Sequence, residues 1–115
     1  MMKRIEAIIP SEKLGIVNEE LKKVGIGGLI VSEVKGRGAG KRAPVAVARG
    51  TSYYVPEFHS RTLLITIVDD SLVDKVANAI VSVTSSGAPG DGKIFIYNVE
   101  DAIDIGTKKR GKEAI

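Results

Sequence analysis

Cysteine is absent from the 115 residues, and histidine occurs once, at His59. Without thiols the chain can form neither a disulfide nor a thiolate metal site. With one imidazole and no carboxylate pair beside a recognisable base, it offers little to acid–base or nucleophilic catalysis, and it reads as a non-enzyme. His59, beside a long loop, reads as an exposed loop residue. Asp69 and Asp70 precede a helix and read as capping groups. Long apolar runs are missing too. No stretch reaches the ~18 residues of a membrane span, and the apolar part of MMKRIEAIIP is far too short for a signal peptide. A cytoplasmic location is expected. Aromatics make up only 4% of the chain. RNA-binding modules stack bases on aromatics carried by their strands. Neither KRIEAII nor LLITIV has one, so no nucleic-acid partner is expected.

What is present fits one small domain: 43% hydrophobic and 27% charged residues, ordinary for a globular chain. A monomer of this length buries only roughly two-thirds of the surface its unfolded chain exposes, so association would help it. The net charge of +3 is mild, but unevenly placed. Residues 34–56 hold Lys35, Arg37, Lys41, Arg42 and Arg49 and no acid. Such a stretch attracts phosphates, carboxylates or an acidic surface. Lys108, Lys109, Arg110 and Lys112 form a second cluster in what reads as a frayed tail.

Along the chain, Ile5, Ala7 and Ile9 alternate as in a strand over 3–9. Pro10 stops it, and Ser11 is placed to cap a helix carrying Leu14, Val17, Leu21 and Val24 at helical spacing. Glycines at 25, 27 and 28 end that helix, and residues 29–35 read as a second strand. The run LLITIV, 63–68, reads as a central strand covered on both faces, with a buried helix piece as the alternative that periodicity alone leaves open. Ser71 and Asp74 have capping-box spacing before a second helix through Val73, Val76, Ala77, Ile80 and Val83. A fourth strand follows over 94–99, and 102–105 reads as a short fifth. The order β-α-β-β-α-β predicts a ferredoxin-like α+β sandwich with helices on one sheet face. The other face would carry Ile8, Ile30 and alternate residues of LLITIV, and a bare apolar face implies self-association. Residues 36–60 separate the second and third strands, where a hairpin needs ~2–5. Loops this long inside a compact domain are usually functional or disordered.

The stretch SSGAPGDGKIFIY contains G-A-P-G-D-G-K, nearly the phosphate loop G-x-x-x-x-G-K-[ST]. Ile94 stands where the magnesium-binding hydroxyl should be, and a helix enters the loop where a strand should. That excludes a nucleotide hydrolase of this type. Consecutive N–H groups in a Gly-rich turn still form an anion-binding nest, to which Lys93 would add a point charge.

The element order, the long basic loop and GDGKIF opening the fourth strand together resemble the PII signal-transduction family, the GlnB and GlnK group of nitrogen regulators. EVKGRG (33–38) looks like the family's exit from strand two, and ARGTSYY (48–54) like its YRGAEY segment. GDGKIFIYNVEDAIDI looks like its GDGKIFV element and the strand after it, and the terminal EAI also fits. The resemblance covers nearly the whole chain. It implies a single domain over 1–115, with 36–60 as the T-loop, 85–93 as the B-loop and 104–115 as the C-terminal segment. It implies a homotrimer of packed sheets that binds ATP or ADP between subunits, with 2-oxoglutarate bound in many members through a magnesium ion held with ATP. The T-loop would dock on an ammonium transporter or on an enzyme such as glutamine synthetase, so that membrane contact is peripheral and made only through a transporter.

Carried over by position, Gly38, Lys41, Gly90, Asp91, Gly92 and Lys93 match the family's nucleotide positions. Arg61 falls, across a one-residue gap, near a Lys that reaches 2-oxoglutarate or the phosphates. Arg49 matches the loop Arg that enters the channel, and Tyr53 falls at the uridylylated Tyr, with Tyr54 an equal chemical candidate. The chain departs from the pattern at four places. Gly40 takes the place of the Gln that helps hold magnesium and 2-oxoglutarate. Asp104 and Gly106 take the places of two phosphate-clamping Arg, and Ile30 that of an adenine-contacting Thr. An Asp in place of Arg reverses the Coulomb sign beside a phosphate, unless Lys108, Lys109 or Arg110 substitutes. These departures keep open a PII-like regulator of a different transporter or carbon pathway that senses nucleotide without 2-oxoglutarate.

Overall fold

The computed structural model describes residues 1–39, 45–46, 53–54 and 57–115, the description of 45–46 and 53–54 being confined to backbone. Strand β1 (Met2–Ile9) buries Ile5, Ala7 and Ile9 on one face, as the alternation predicts. Pro10 ends it, and one 3-10 turn (Ser11–Lys13) leads into helix α1 (Leu14–Val24). Val17 and Leu21 of α1 are buried. Gly25, left-handed at φ 89°, stops the helix by donating its N–H to the carbonyls of Leu21 and Lys22 at 3.2 and 3.1 Å. Strand β2 (Ile30–Gly36) follows, then a two-residue ladder of β3 (Val45–Ala46) and β4 (Tyr53–Tyr54), then β5 (His59–Asp69). Helix α2 (Val73–Thr84) and strand β6 (Lys93–Val99) complete the order.

The four long strands form one sheet in the order β2-β5-β1-β6, each neighbouring pair antiparallel. Strands β1 and β2 therefore run parallel with β5 between them. This is the split βαβ arrangement of a ferredoxin-like α+β fold. Both helices pack on one sheet face. There Ile5, Ala7, Ile9, Leu64 and Val68 meet Val17, Leu21, Val76 and Ile80 in a single core. Each fully buried aliphatic side chain of that core contributes on the order of 1.5–3 kcal/mol. Two buried threonines join it with their hydroxyls satisfied. Thr66 donates to the Gly28 carbonyl at 2.7 Å, and Thr62 meets Ser11 and Glu33 at 3.1 and 2.8 Å.

The topology sorts the connections between the two ends of the sheet. Strands β1 and β2 finish, and β5 and β6 begin, at one end: Ile8 pairs with both Leu63 and Lys93, and Gly36 pairs with His59. Residues 37–58 and the loop from α2 to β6 share that end. The chain after Val99 leaves from the opposite end.

Several expectations are corrected. Ser11 does not cap α1; no side chain caps that helix, and the Ser11 hydroxyl donates instead to Glu33 at 2.9 Å. Ser71 and Asp74 form no capping box. Asp69 is the capping residue, accepting from the Ser71 N–H at 3.1 Å. The third long strand begins at His59 rather than at residue 63, so its pairing with β2 takes Gly36, His59 and Ser60 out of the long loop and into the sheet. His59 is accordingly a half-buried strand residue. LLITIV is covered by helices on one face only, with Leu63, Ile65 and Ile67 on the other.

No fifth strand forms over 102–105. The tail is a closed hairpin and not a frayed end. Its single bridge joins Ile103 and Arg110, and the Gly111 N–H donates to the Ala102 carbonyl at 2.9 Å. The open sheet face is apolar as predicted, with Ile30 64% exposed. It also carries a polar patch in which Arg4 pairs with Glu6 at 2.5 Å and lies 5.9 Å from the centre of the Tyr97 ring. No described helix is long and apolar enough to cross a membrane.

Candidate functional site

Helix α2 ends without glycine. Ser85 turns extended, at φ −72° and ψ 129°, while its N–H still donates to the Val81 carbonyl at 2.9 Å. Eight residues later the chain enters β6. In between, Gly87, Gly90 and Gly92 have φ of 83°, 99° and 126°, values that favour glycine. Gly92 is the tightest. A Cβ there would lie 2.2 Å from the Ile8 carbonyl oxygen, so the loop lies directly against the end of β1. A helix enters and a strand leaves, the inverse of the hydrolase loop.

Inside the loop the Asp91 carboxylate folds back on Ser86. It accepts the Ser86 N–H at 2.6 Å on one oxygen and the Ser86 hydroxyl at 2.7 Å on the other. The Ser86 hydroxyl first, then the amides of Ser86, Ala88 and Gly87, hold the carboxyl below the usual carboxylate range. Beside this loop lies an open depression of about 340 Å³. Ile8, Ile80 and Ile94 line its apolar part, and Thr84, Ser85, Asp91 and Lys93 its polar part. Lys93, the first residue of β6, is exposed. This arrangement suits an anion with an apolar portion attached. Among the described residues no group of three or more His, Asp or Glu gathers to hold a metal.

Of the expected site residues, Gly90, Asp91, Gly92 and Lys93 come together in this loop. Arg61 lies on the open face, as Lys93 does. Leu63, Ile8 and Lys93 form one cross-strand row, and Arg61 follows two residues beyond Leu63. Strand spacing and rise place Arg61 and Lys93 roughly 10–12 Å apart at Cα, flanking the end of β1. The Arg61 guanidinium donates to the Ser60 carbonyl at 3.0 Å. Gly38 is exposed, two residues beyond the last β2 pair and at the same end of the sheet. Gly40, Lys41, Arg42 and Arg49 lie outside the described residues, and of Tyr53 only the backbone is described, paired with Ala46.

Two features were not anticipated. Ser86 braces Asp91, a pairing hinted at only by a serine and an aspartate five apart in a Gly-Pro stretch. Arg37 pairs with Glu57 at 2.5 Å, closing the base of the long segment just beyond the Gly36–His59 pair.

The tail sits at the other end of the sheet. Arg110 is bound to Asp101 through two guanidinium nitrogens at 2.7 and 3.1 Å. Asp104 accepts the Thr107 N–H and hydroxyl at 2.8 and 2.7 Å. Asp104 thus points into its own turn, and Arg110 is neutralised. Lys108, at φ 64°, and Lys109 are the cations left at the hairpin tip.

Comparison with known proteins bears on this geometry. A family model described as "Nitrogen regulatory protein P-II" matches residues 2–109. The chain is 42% identical over 114 residues to the nitrogen regulatory protein P-II of Haemophilus influenzae, covering 99% of this chain and 100% of that protein. It is 41% identical over the same coverage to the protein of that name from Rhodospirillum rubrum. Among solved structures, B. subtilis GlnK matches with a TM-score of 0.79 at 31% identity, covering 99% of this chain and 98% of that one. The B. subtilis GlnK–ATP complex matches at 0.78 and 28% identity, covering 99% and 97%.

Proposed function

Because the chain belongs to the nitrogen regulatory P-II family, we propose that it is a signal transducer whose allosteric ligand, ATP or ADP, binds at the loop between α2 and β6. The observation that carries this reading is the loop itself. Three positive-φ glycines turn the backbone there, beside an exposed lysine and an apolar depression. The likeness to a GlnK structure titled as an ATP complex supports adenine nucleotide in particular. In this reading Lys93 and the backbone at Gly90 and Gly92 hold phosphates, with Arg61 and Gly38 at the same end of the sheet. A magnesium ion would arrive with the nucleotide, held mainly by its phosphates and by waters. The working assembly is a cytoplasmic homotrimer that covers the open sheet face. Within one chain the tail and the loop lie at opposite ends of the sheet, so only a second copy could bring Lys108 or Lys109 to the nucleotide.

Binding shifts the conformers of the long segment, residues 37–58, which carries Lys41, Arg49 and Tyr53. That segment then docks on an ammonium transporter or glutamine synthetase. A second reading, a regulator of another transporter or of carbon metabolism that ignores 2-oxoglutarate, is favoured by Gly40 standing where the family has its Gln.

Calorimetric titration with ATP, ADP and AMP, each with and without magnesium and 2-oxoglutarate, tests both. Wild-type protein should bind ATP or ADP, and Lys93→Ala should weaken binding by about 1.5–3 kcal/mol, roughly ten- to hundredfold in Kd. A Lys93→Ala protein that binds as tightly as wild type would remove the site. ATP affinity raised by 2-oxoglutarate would support the nitrogen regulator, and indifference to it the second reading.

A further inference from the structure

We propose that Ser86 is a positioning residue that makes the loop selective for phosphate anions by turning the Asp91 carboxylate away from Lys93. The proposal rests on the nucleotide-binding reading above. Asp91 and Lys93 are two positions apart and line the same depression. An aspartate so close to an ammonium would ordinarily pair with it. That pair would cancel the positive charge an incoming phosphate needs, and would leave a carboxylate facing it.

The geometry prevents this. Both carboxylate oxygens of Asp91 are occupied by Ser86, one by the N–H at 2.6 Å and the other by the hydroxyl at 2.7 Å. Separations this short are those of charge-assisted hydrogen bonds. Gly90 and Gly92, on either side of Asp91 at φ 99° and 126°, turn the chain so that the carboxylate reaches back five positions. Lys93 forms no ion pair among the described residues. The amides of Gly87 and Ala88 also face the carboxylate, so a bound phosphate takes its main-chain donors from the Gly90–Gly92 side. Of the groups that hold Asp91, the Ser86 hydroxyl is the one a side chain supplies. It is therefore the one a substitution can remove without altering the backbone.

A brace that only stiffens the loop and a brace that diverts a charge predict different affinities. If charge is diverted, Ser86→Ala frees Asp91 to pair with Lys93, and the loss should grow with the charge of the ligand: roughly tenfold for ATP, about fivefold for ADP and about twofold for AMP. Ser86→Thr keeps the hydroxyl and should bind like wild type. Asp91→Asn alone is the reference against which the double variant is read. In the Ser86→Ala background, Asp91→Asn should bring ATP affinity back to within about threefold of wild type, because no carboxylate remains to compete. Calorimetry on the five proteins at one low ionic strength reads all of this. An equal loss for all three nucleotides, a double variant no better than Ser86→Ala, or an Asp91→Asn that loses as much ATP affinity as Ser86→Ala would overturn the proposal and leave the nucleotide reading standing. A wild-type protein that binds none of the three would overturn both.

Discussion

The loop at one end of the sheet and the hairpin at the other are built with the same device, but only the hairpin adds a second acid that neutralises a cation. In each, an aspartate accepts both the N–H and the hydroxyl of one nearby residue: Asp91 from Ser86, and Asp104 from Thr107. In the loop the brace occupies the only acid and leaves Lys93 outside any ion pair among the described residues. In the hairpin a second acid, Asp101, binds Arg110 through two nitrogens. Basic residues in a sequence are therefore a poor guide to where positive charge is available. What decides is which acids the local turn has already engaged.

The largest expected effect comes from the contact that the loop has and the hairpin lacks. Gly92→Ala would drive a Cβ to within 2.2 Å of the Ile8 carbonyl at a φ of 126°, and should cost about 3–5 kcal/mol or block folding. Gly90→Ala, at φ 99° with nothing within 4 Å, should cost only about 1–2 kcal/mol. Thermal denaturation separates the two, and equal costs would mean that close approach to β1 does not constrain the loop.

An intermediate effect is expected in acid, and it should touch both ends. Asp91 and Asp104 are each held below the ordinary range, Asp91 chiefly by the Ser86 hydroxyl and Asp104 chiefly by the Thr107 amide. A lowered folded value means that the folded chain binds fewer protons than the unfolded one. Each contribution is thus complete above the ordinary aspartate value of about 3.9 and is lost as pH falls through the folded value. Carboxyl NMR titrations should place both midpoints below that of an unstructured peptide. Asp91→Asn should remove the acid sensitivity of the loop and leave that of the hairpin.

The smallest effect belongs to Arg110→Ala, which breaks an exposed pair. It should lower Tm by about 1–3 °C and speed hydrogen exchange at the Gly111 amide, with the loop amides unchanged.

The fold was legible where burial and period coincide. Ile5, Ala7 and Ile9 in β1, and Val17, Leu21, Val76 and Ile80 in the helices, are the core both by pattern and by packing. Reading failed where a polar residue does something other than its local habit suggests. Ser11 looks like a cap but serves Glu33, and Thr62 hides a buried strand position because its hydroxyl is satisfied from two other elements. The same cause concealed half of the site. GDGK marks the loop, because glycines at positive φ leave a visible trace. The partnership of Ser86 with Asp91 leaves almost none, since it depends on a fold-back that no short-range rule supplies. The tail was misread for the same reason, as Asp101 and Arg110 meet only once the hairpin has closed.

The pair between Arg37 and Glu57, with the Gly36–His59 pairing beneath it, also has a meaning for engineering. It pins the two ends of the intervening segment to neighbouring strands, so the closure cost of that segment depends only weakly on its length: doubling it adds about 0.6 kcal/mol. A reporter peptide inserted between positions 37 and 57 should therefore leave the sheet below it standing. The segment is the natural place to build a sensor whose output is read outside the domain that binds the signal.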